Sequence, residues 1–182
     1  MKTVFSNSCK ISDYKPISII GNDYYICWGK TIIKKPAEKI LKNGRFVKSD
    51  IMVDSDKCFY DYMIFTGVKP TKKMIKTEIE EYIDSYTSKK ITTGFVYNGE
   101  KINLSKENQL NYKAAFDLAM QTNGMNLPYK IKTKSNGTSE YIIFSTIDEF
   151  YDFYLKMNAY IQKCLEEGWE RKDSIDYSVY EI

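Results

Sequence analysis

Four carboxylates surround Trp169: Glu166, Glu167, Glu170 and Asp173. Paired carboxylates beside an aromatic wall are what glycoside hydrolysis needs, one as acid and one as base or nucleophile. Here they fall at the end of an expected helix and in the tail behind it, where no cleft is implied, so they read as solvated charges. Asp50, Asp54 and Asp56, in SDIMVDSD, offer oxygens to a cation. The D-x-D-x-D-G spacing fails and no glutamate closes the loop, so a solvated acidic turn is expected. The chain contains no histidine. That removes Ser-His-Asp and Cys-His catalysis, HExxH zinc sites and histidine pH switches together. Glycine-rich nucleotide loops and EF-hand loops are also missing from the sequence. Cys9, Cys27, Cys58 and Cys164 are scattered without a CxxC pair. They are expected to stay reduced and to pack as small apolar residues, not as a zinc site. The expectation is a non-enzymatic protein with no catalytic residues, no cofactor and no metal.

The remaining chemistry is electrostatic and aromatic. Lys30, Lys34, Lys35, Lys39, Lys42, Arg45 and Lys48 stand in one segment with a single acid, Glu38. Such a cluster attracts nucleic acid or an acidic protein surface; its plain alternative is a solvated lysine face around a turn. Only Arg45 and Arg171 are arginines, whereas bidentate phosphate or guanine recognition favours arginine over lysine. Tyr25 and Trp28 lie just ahead of the cluster, as stacking platforms or as core. With Trp169, these residues are the candidate interaction set: Tyr25, Trp28, Lys30, Lys34, Lys35, Lys39, Lys42, Arg45 and Trp169.

The elements that must position them divide at about residue 68. Residues 1–68 read as a β-rich attachment region. Strand-like runs are Tyr24–Trp28, Thr31–Ile33, Phe46–Val47, Ile51–Val53 and Cys58–Phe65. Lys34-Lys35-Pro36 is expected to interrupt any regular element, and Ala37–Leu41 to make at most one or two helical turns before Asn43-Gly44. Residues 69–182 read as an α+β domain: helix 70–87, hairpin 93–104, helix 105–122, hairpin 129–145, helix 146–167 and a tail. The two hairpins turn on Asn98-Gly99 and Asn136-Gly137, dipeptides that tolerate the positive φ of a type I′ turn. Thr146-x-x-Glu149 is a capping box. In the second helix Leu110, Ala114, Ala115, Leu118 and Ala119 read as one stripe, broadened by Tyr112, Phe116 and Met120. Gly168 is expected to end the last helix. The fold class is therefore α+β, with two hairpin-helix units forming an antiparallel sheet covered by helices.

Net charge is +3 over 182 residues, and 15% are aromatic. The composition suits a packed core and contains no run of 18 apolar residues, so no membrane span is expected. The amino terminus, MKTVFSNSCK, has no apolar stretch of the secretory kind.

Several marks together resemble a known family. They are Gly94-Phe95 with Asn98-Gly99, Leu104-Ser105 with Asn108-Gln109, and Asn111 with Lys113-Ala114-Ala115. Gln121, Leu127-Pro128 and Gly168-Trp169 with Lys172-Asp173 complete the set. Residues 70–178 resemble a domain of phage and prophage proteins of gut bacteria, encoded near tail or other virion genes. The resemblance implies a structural protein of the tail, collar or baseplate, in the virion or in the host cytoplasm during assembly. Its partners would be other virion proteins in a symmetric multi-copy assembly. The alternatives are a tail assembly chaperone, or an accessory protein that binds nucleic acid through Lys30–Lys48. The resemblance carries no catalytic residues, and residues 1–68 lie outside it.

Overall fold

Residues 2–40, 45–135 and 138–181 are described by a computed structural model. The first strands are β1 (Val4–Lys10), β2 (Ile17–Ile20), β3 (Asp23–Ile40) and β4 (Phe46–Thr66). Gly21 turns β2 into β3 at φ 61°, a conformation that glycine adopts without strain. All pairings are antiparallel, in the order β1-β4-β3-β2.

β3 runs unbroken through Lys34, Lys35 and Pro36, and Ala37–Ile40 continue it as strand instead of helix. The physical reason is the sheet's edge. β2 covers β3 only from Asp23 to Ile26, so beyond that point one side of β3 has no ladder for a proline to break. Register shifts between Trp28 and Thr31, Ile32 and Lys34, and Pro36 and Glu38 absorb the irregularity. The separate runs expected at Phe46, Ile51 and Cys58 are one strand, β4. Asn43-Gly44 lies outside the described residues.

Two compact units result: residues 1–82 with 171–182, and residues 83–170. The sequence predicts a division at 68/69. In the first unit Ile26, Trp28, Met63 and Phe65 are buried, with Ile75 and Ile79 from the first half of helix α1 (Lys72–Gly94). The rings of Trp28 and Tyr82 meet edge to face at 5.9 Å. From the carboxyl-terminal tail, Tyr180 is buried, and its hydroxyl donates to the Cys27 carbonyl at 2.7 Å.

The second unit holds the rest of α1 and two hairpins, β5 (Phe95–Tyr97) with β6 (Glu100–Ile102) and β7 (Tyr129–Ser135) with β8 (Thr138–Phe144). Between and after them come α2 (Lys106–Gln121) and α3 (Ile147–Asp173). Asn98 and Gly99 take φ 51° and 85°, as the first hairpin turn requires. The second turn, Asn136-Gly137, lies outside the described residues. β6 runs beside β7 while each hairpin keeps its own ladder. The chain is thus α+β, with antiparallel sheets and a strand-rich first part.

Helix α1 extends past Ser88-Lys89-Lys90. Thr92 and Thr93 carry it on, each hydroxyl donating to the carbonyl four residues back at 2.9 Å. Helix α3 passes through Gly168 to Asp173, so that glycine is not a stop. In α2 the buried residues are Tyr112, Phe116 and Ala119, whereas Leu110, Leu118 and Met120 are exposed. The expected stripe is rotated because rings dominate the core. Tyr112 meets Phe153 at 5.5 Å, and Phe116 meets Phe150 at 5.6 Å and Tyr154 at 4.6 Å. Large rings bury more area than leucine does, and edge-to-face or offset pairs add to it.

Candidate interaction surfaces

Pairing along β3 and β4 is uneven. β1 covers β4 only over Lys57–Met63, and β2 covers β3 only over Asp23–Ile26. Among the described residues, 33–40 and 46–56 therefore pair only with each other. They form a two-stranded arm that runs on from the sheet. Eight strand residues at ~3.3 Å each give it a length of roughly 26 Å.

The arm's apolar side chains are in water: Ile51 is 64% exposed, Met52 51%, Val47 45% and Val53 38%. A lone two-stranded ribbon is at best marginally stable, and needs a third strand or a packing layer. Its β3 edge is also blunted against strand addition. Lysines and a proline are usual means of closing an edge, and Lys34, Lys35 and Pro36 sit there, while the two register shifts of the arm place their extra residues in β4. What the arm offers to a partner is its exposed apolar side chains, with Met52 and Val53 on opposite faces of the ribbon.

The basic cluster lies on this arm, and its neighbours are acidic. Lys34 pairs across the ladder with Asp54, and Glu38 with Lys48. Lys30, Lys34, Lys35 and Arg45 are exposed. Lys39 opposes Val47 in the ladder, its side chain lying outside the described residues, as does Lys42. Asp50, Asp54 and Asp56 are strand residues of β4 and not the expected turn.

Tyr25 and Trp28 lie on opposite faces of β3. Trp28 is 1% exposed and belongs to the core, which takes it out of the surface set. Tyr25 is half-buried in a run of rings. It stacks on Tyr62 at 6.2 Å, Tyr62 on Phe5 at 5.3 Å, and Tyr14 meets Tyr60 edge-on at 5.6 Å. The Lys30 ammonium stands over Tyr14 at 5.1 Å from the ring centre. Burial pushes the Tyr14 phenol up to about 12. Trp169, half-exposed, belongs to the second unit.

Of the carboxylates around Trp169, Glu166 and Glu167 are engaged in helix-surface pairs. Glu167 pairs with Lys90, which donates to it and holds its carboxyl below the usual range. Gln162 donates to Glu166 at 2.9 Å. Among the described residues no group of three or more Cys, Asp or Glu stands close enough to hold a metal ion. Among the described residues no helix is long and apolar enough to cross a membrane.

In the second unit a groove of about 380 Å³ runs between α2 and α3, lined by Lys106, Leu110, Lys113, Tyr154, Asn158 and Ile161 among others. Neither this groove nor the exposed Ile51, Met52 and Val53 figured among the sequence candidates. The sequence predicts a strand-like run at Ile51–Val53 and says nothing of its exposure. The signal that marks the arm is acidic residues bracketing Ile51-Met52-Val53 opposite a proline-lysine strand.

A family model described as "Domain of unknown function (DUF4376)" matches residues 74–182, more than half of the chain. Its match begins in the first turn of α1 and leaves the four-stranded sheet and the arm outside. No curated protein matches the chain, and no solved structure does.

Proposed function

This chain belongs to the DUF4376 family, and from that premise we propose that it is a non-enzymatic contact protein of a phage particle whose β3–β4 arm lies against another protein chain. The observation that carries the reading is the uncovered arm, with Ile51, Met52, Val47 and Val53 in water on a ribbon too thin to bury them itself. Exposed apolar patches of this kind mark interaction sites in soluble proteins. The virion setting, in the tail, collar or baseplate, is supported by the resemblance of residues 70–178 to phage and prophage domains. Other virion proteins in a symmetric multi-copy assembly are the corresponding partners.

Nucleic acid is the weaker partner on physical grounds. The lysines of the arm do not make an unbroken basic stripe, because Asp54 opposes Lys34 and Asp50 and Asp56 share the ribbon. A nucleic-acid interface loses affinity log-linearly with salt, whereas an apolar face does not.

Protein mass spectrometry of purified particles from the host that encodes the chain tests the reading. Recovery in stoichiometric amount in mature particles is the expected result. Presence in assembly intermediates only would make the chain an assembly chaperone, and absence from both would overturn the virion reading.

A further inference from the structure

We infer that Cys9 and Cys58 are a modification site: under oxidising conditions they join in a disulfide across the β1–β4 ladder, at the base of the arm. The two residues are direct partners in that ladder, and their sulfurs lie 3.9 Å apart. Opposed residues of an antiparallel pair have Cα atoms ~4.5–5.5 Å apart, inside the ~4.4–6.8 Å range that a disulfide bridges. Side-chain rotation then closes the gap, with no movement of the strands.

The other thiols are excluded by topology. Cys27 lies on β3, and β4 separates β3 from β1. Two strand spacings alone amount to ~9.6 Å between Cys27 and Cys9, beyond disulfide reach, and Cys27 stands level with Tyr62 and Phe5, not with Cys9. On β4, Cys27 opposes Tyr62 while Cys58 opposes Ile32, an offset of several residues along the ladder. Cys164 lies in helix α3 and is a ladder partner of neither Cys9 nor Cys58.

Exposure assigns the order of steps. Cys9 is partly exposed and Cys58 is buried. With glutathione disulfide as oxidant, the Cys9 thiolate attacks one glutathione sulfur. The glutathione S–S bond breaks, and one glutathione thiolate leaves. Cys58 then gives up its proton and attacks the Cys9 sulfur of the mixed disulfide, expelling the second glutathione. Two protein thiols are oxidised, one glutathione disulfide is reduced to two glutathiones, and the two protein protons end on them. Burial raises the Cys9 thiol above its ordinary value, so the first step quickens as pH rises. The product ties β1 to the strand that runs out into the arm.

Full-length protein treated with glutathione disulfide, then with maleimide, digested and mapped without reduction, is the test. The expected product is a Cys9–Cys58 linked peptide pair within one chain, with Cys27 and Cys164 alkylated. C58S should stop at a glutathione adduct on Cys9, and C27S and C164S should still form the link. Cys9 and Cys58 recovered alkylated, a link through Cys27, a link found only between chains, or wild-type protein halted at the Cys9 adduct would each overturn the assignment.

Discussion

Gly168 of α3 stands against Thr87 of α1: a Cβ built on Gly168 would lie 2.6 Å from Thr87 Oγ1 and 3.4 Å from its Cγ2. Thr87 is 9% exposed, and its β-branched side chain has little rotamer freedom in a helix. Gly168→Ala gains about 1 kcal/mol of helix propensity but meets an overpacking cost of ~1–3 kcal/mol. The expected net effect in urea denaturation is a loss of stability, larger for Gly168→Val. Thr87→Ala should relieve it, so the double variant should be more stable than the sum of the single changes. Strict additivity would mean the two side chains do not share that space.

Helix α3 starts on reciprocal hydrogen bonds. Thr146 Oγ1 accepts from the Glu149 amide at 3.3 Å, and Glu149 Oε2 accepts from the amides of Thr146 at 3.2 Å and Ser145 at 2.8 Å. Thr146→Ala should cost about 1 kcal/mol, and Thr146→Ser much less. Equal losses for both variants would show that the hydroxyl is not the stabilising group.

Tyr97 donates to Asp152 at 2.9 Å from a buried position, and Lys156 donates to the same carboxylate oxygen at 2.7 Å. Burial first, and the Asp152 carboxylate second, push the phenol up from 10.0 to about 12. A folded-state value above the unfolded one means stability present below pH 10 and lost as pH climbs toward about 12. Tyr112 and Tyr160 are pushed the same way by burial. Melting temperature should therefore fall through that window, and less steeply in Tyr97→Phe. An identical fall in the variant would remove Tyr97 from the alkaline transition.

On the arm, Ile51→Asp with Met52→Asp replaces two exposed apolar side chains. Surface changes of this kind usually alter stability by no more than ~0.5 kcal/mol, so the melting temperature should hold. Incorporation into particles should fall sharply. Charge reversal at Lys34 and Lys35 should act more weakly, since charged residues at an interface rim change on-rate and salt dependence more than affinity. A stronger effect from the lysine changes than from Ile51 and Met52 would favour an electrostatic partner.

Local chemistry was legible in the sequence where turn, cap and period agree. Asn98-Gly99 and the Thr146-x-x-Glu149 box stand where their side chains dictate. Positions decided by tertiary contact were not legible. Gly168 reads as a helix stop until Thr87 is seen beside it. Leu110 and Leu118 read as core until Tyr112 and Phe116 take the buried face. Pro36 reads as a breaker until the edge position of β3 is known. The arm was hidden for a related reason: Ile51, Met52 and Val53 read as a strand-like run, and only the reach of β1 and β2 shows that nothing in the sheet covers them.

Amide hydrogen exchange over residues 33–40 and 46–56, compared between the free chain and the assembled particle, tests the docking of the arm most directly. In the free chain these amides should exchange quickly, as expected of a two-stranded ribbon with few buried contacts. In the particle they should be strongly slowed, while the amides of α2 and α3 in the second unit's core change little. Equal exchange of the arm in both states, with the chain present in the particle, would contradict its role as the contact surface.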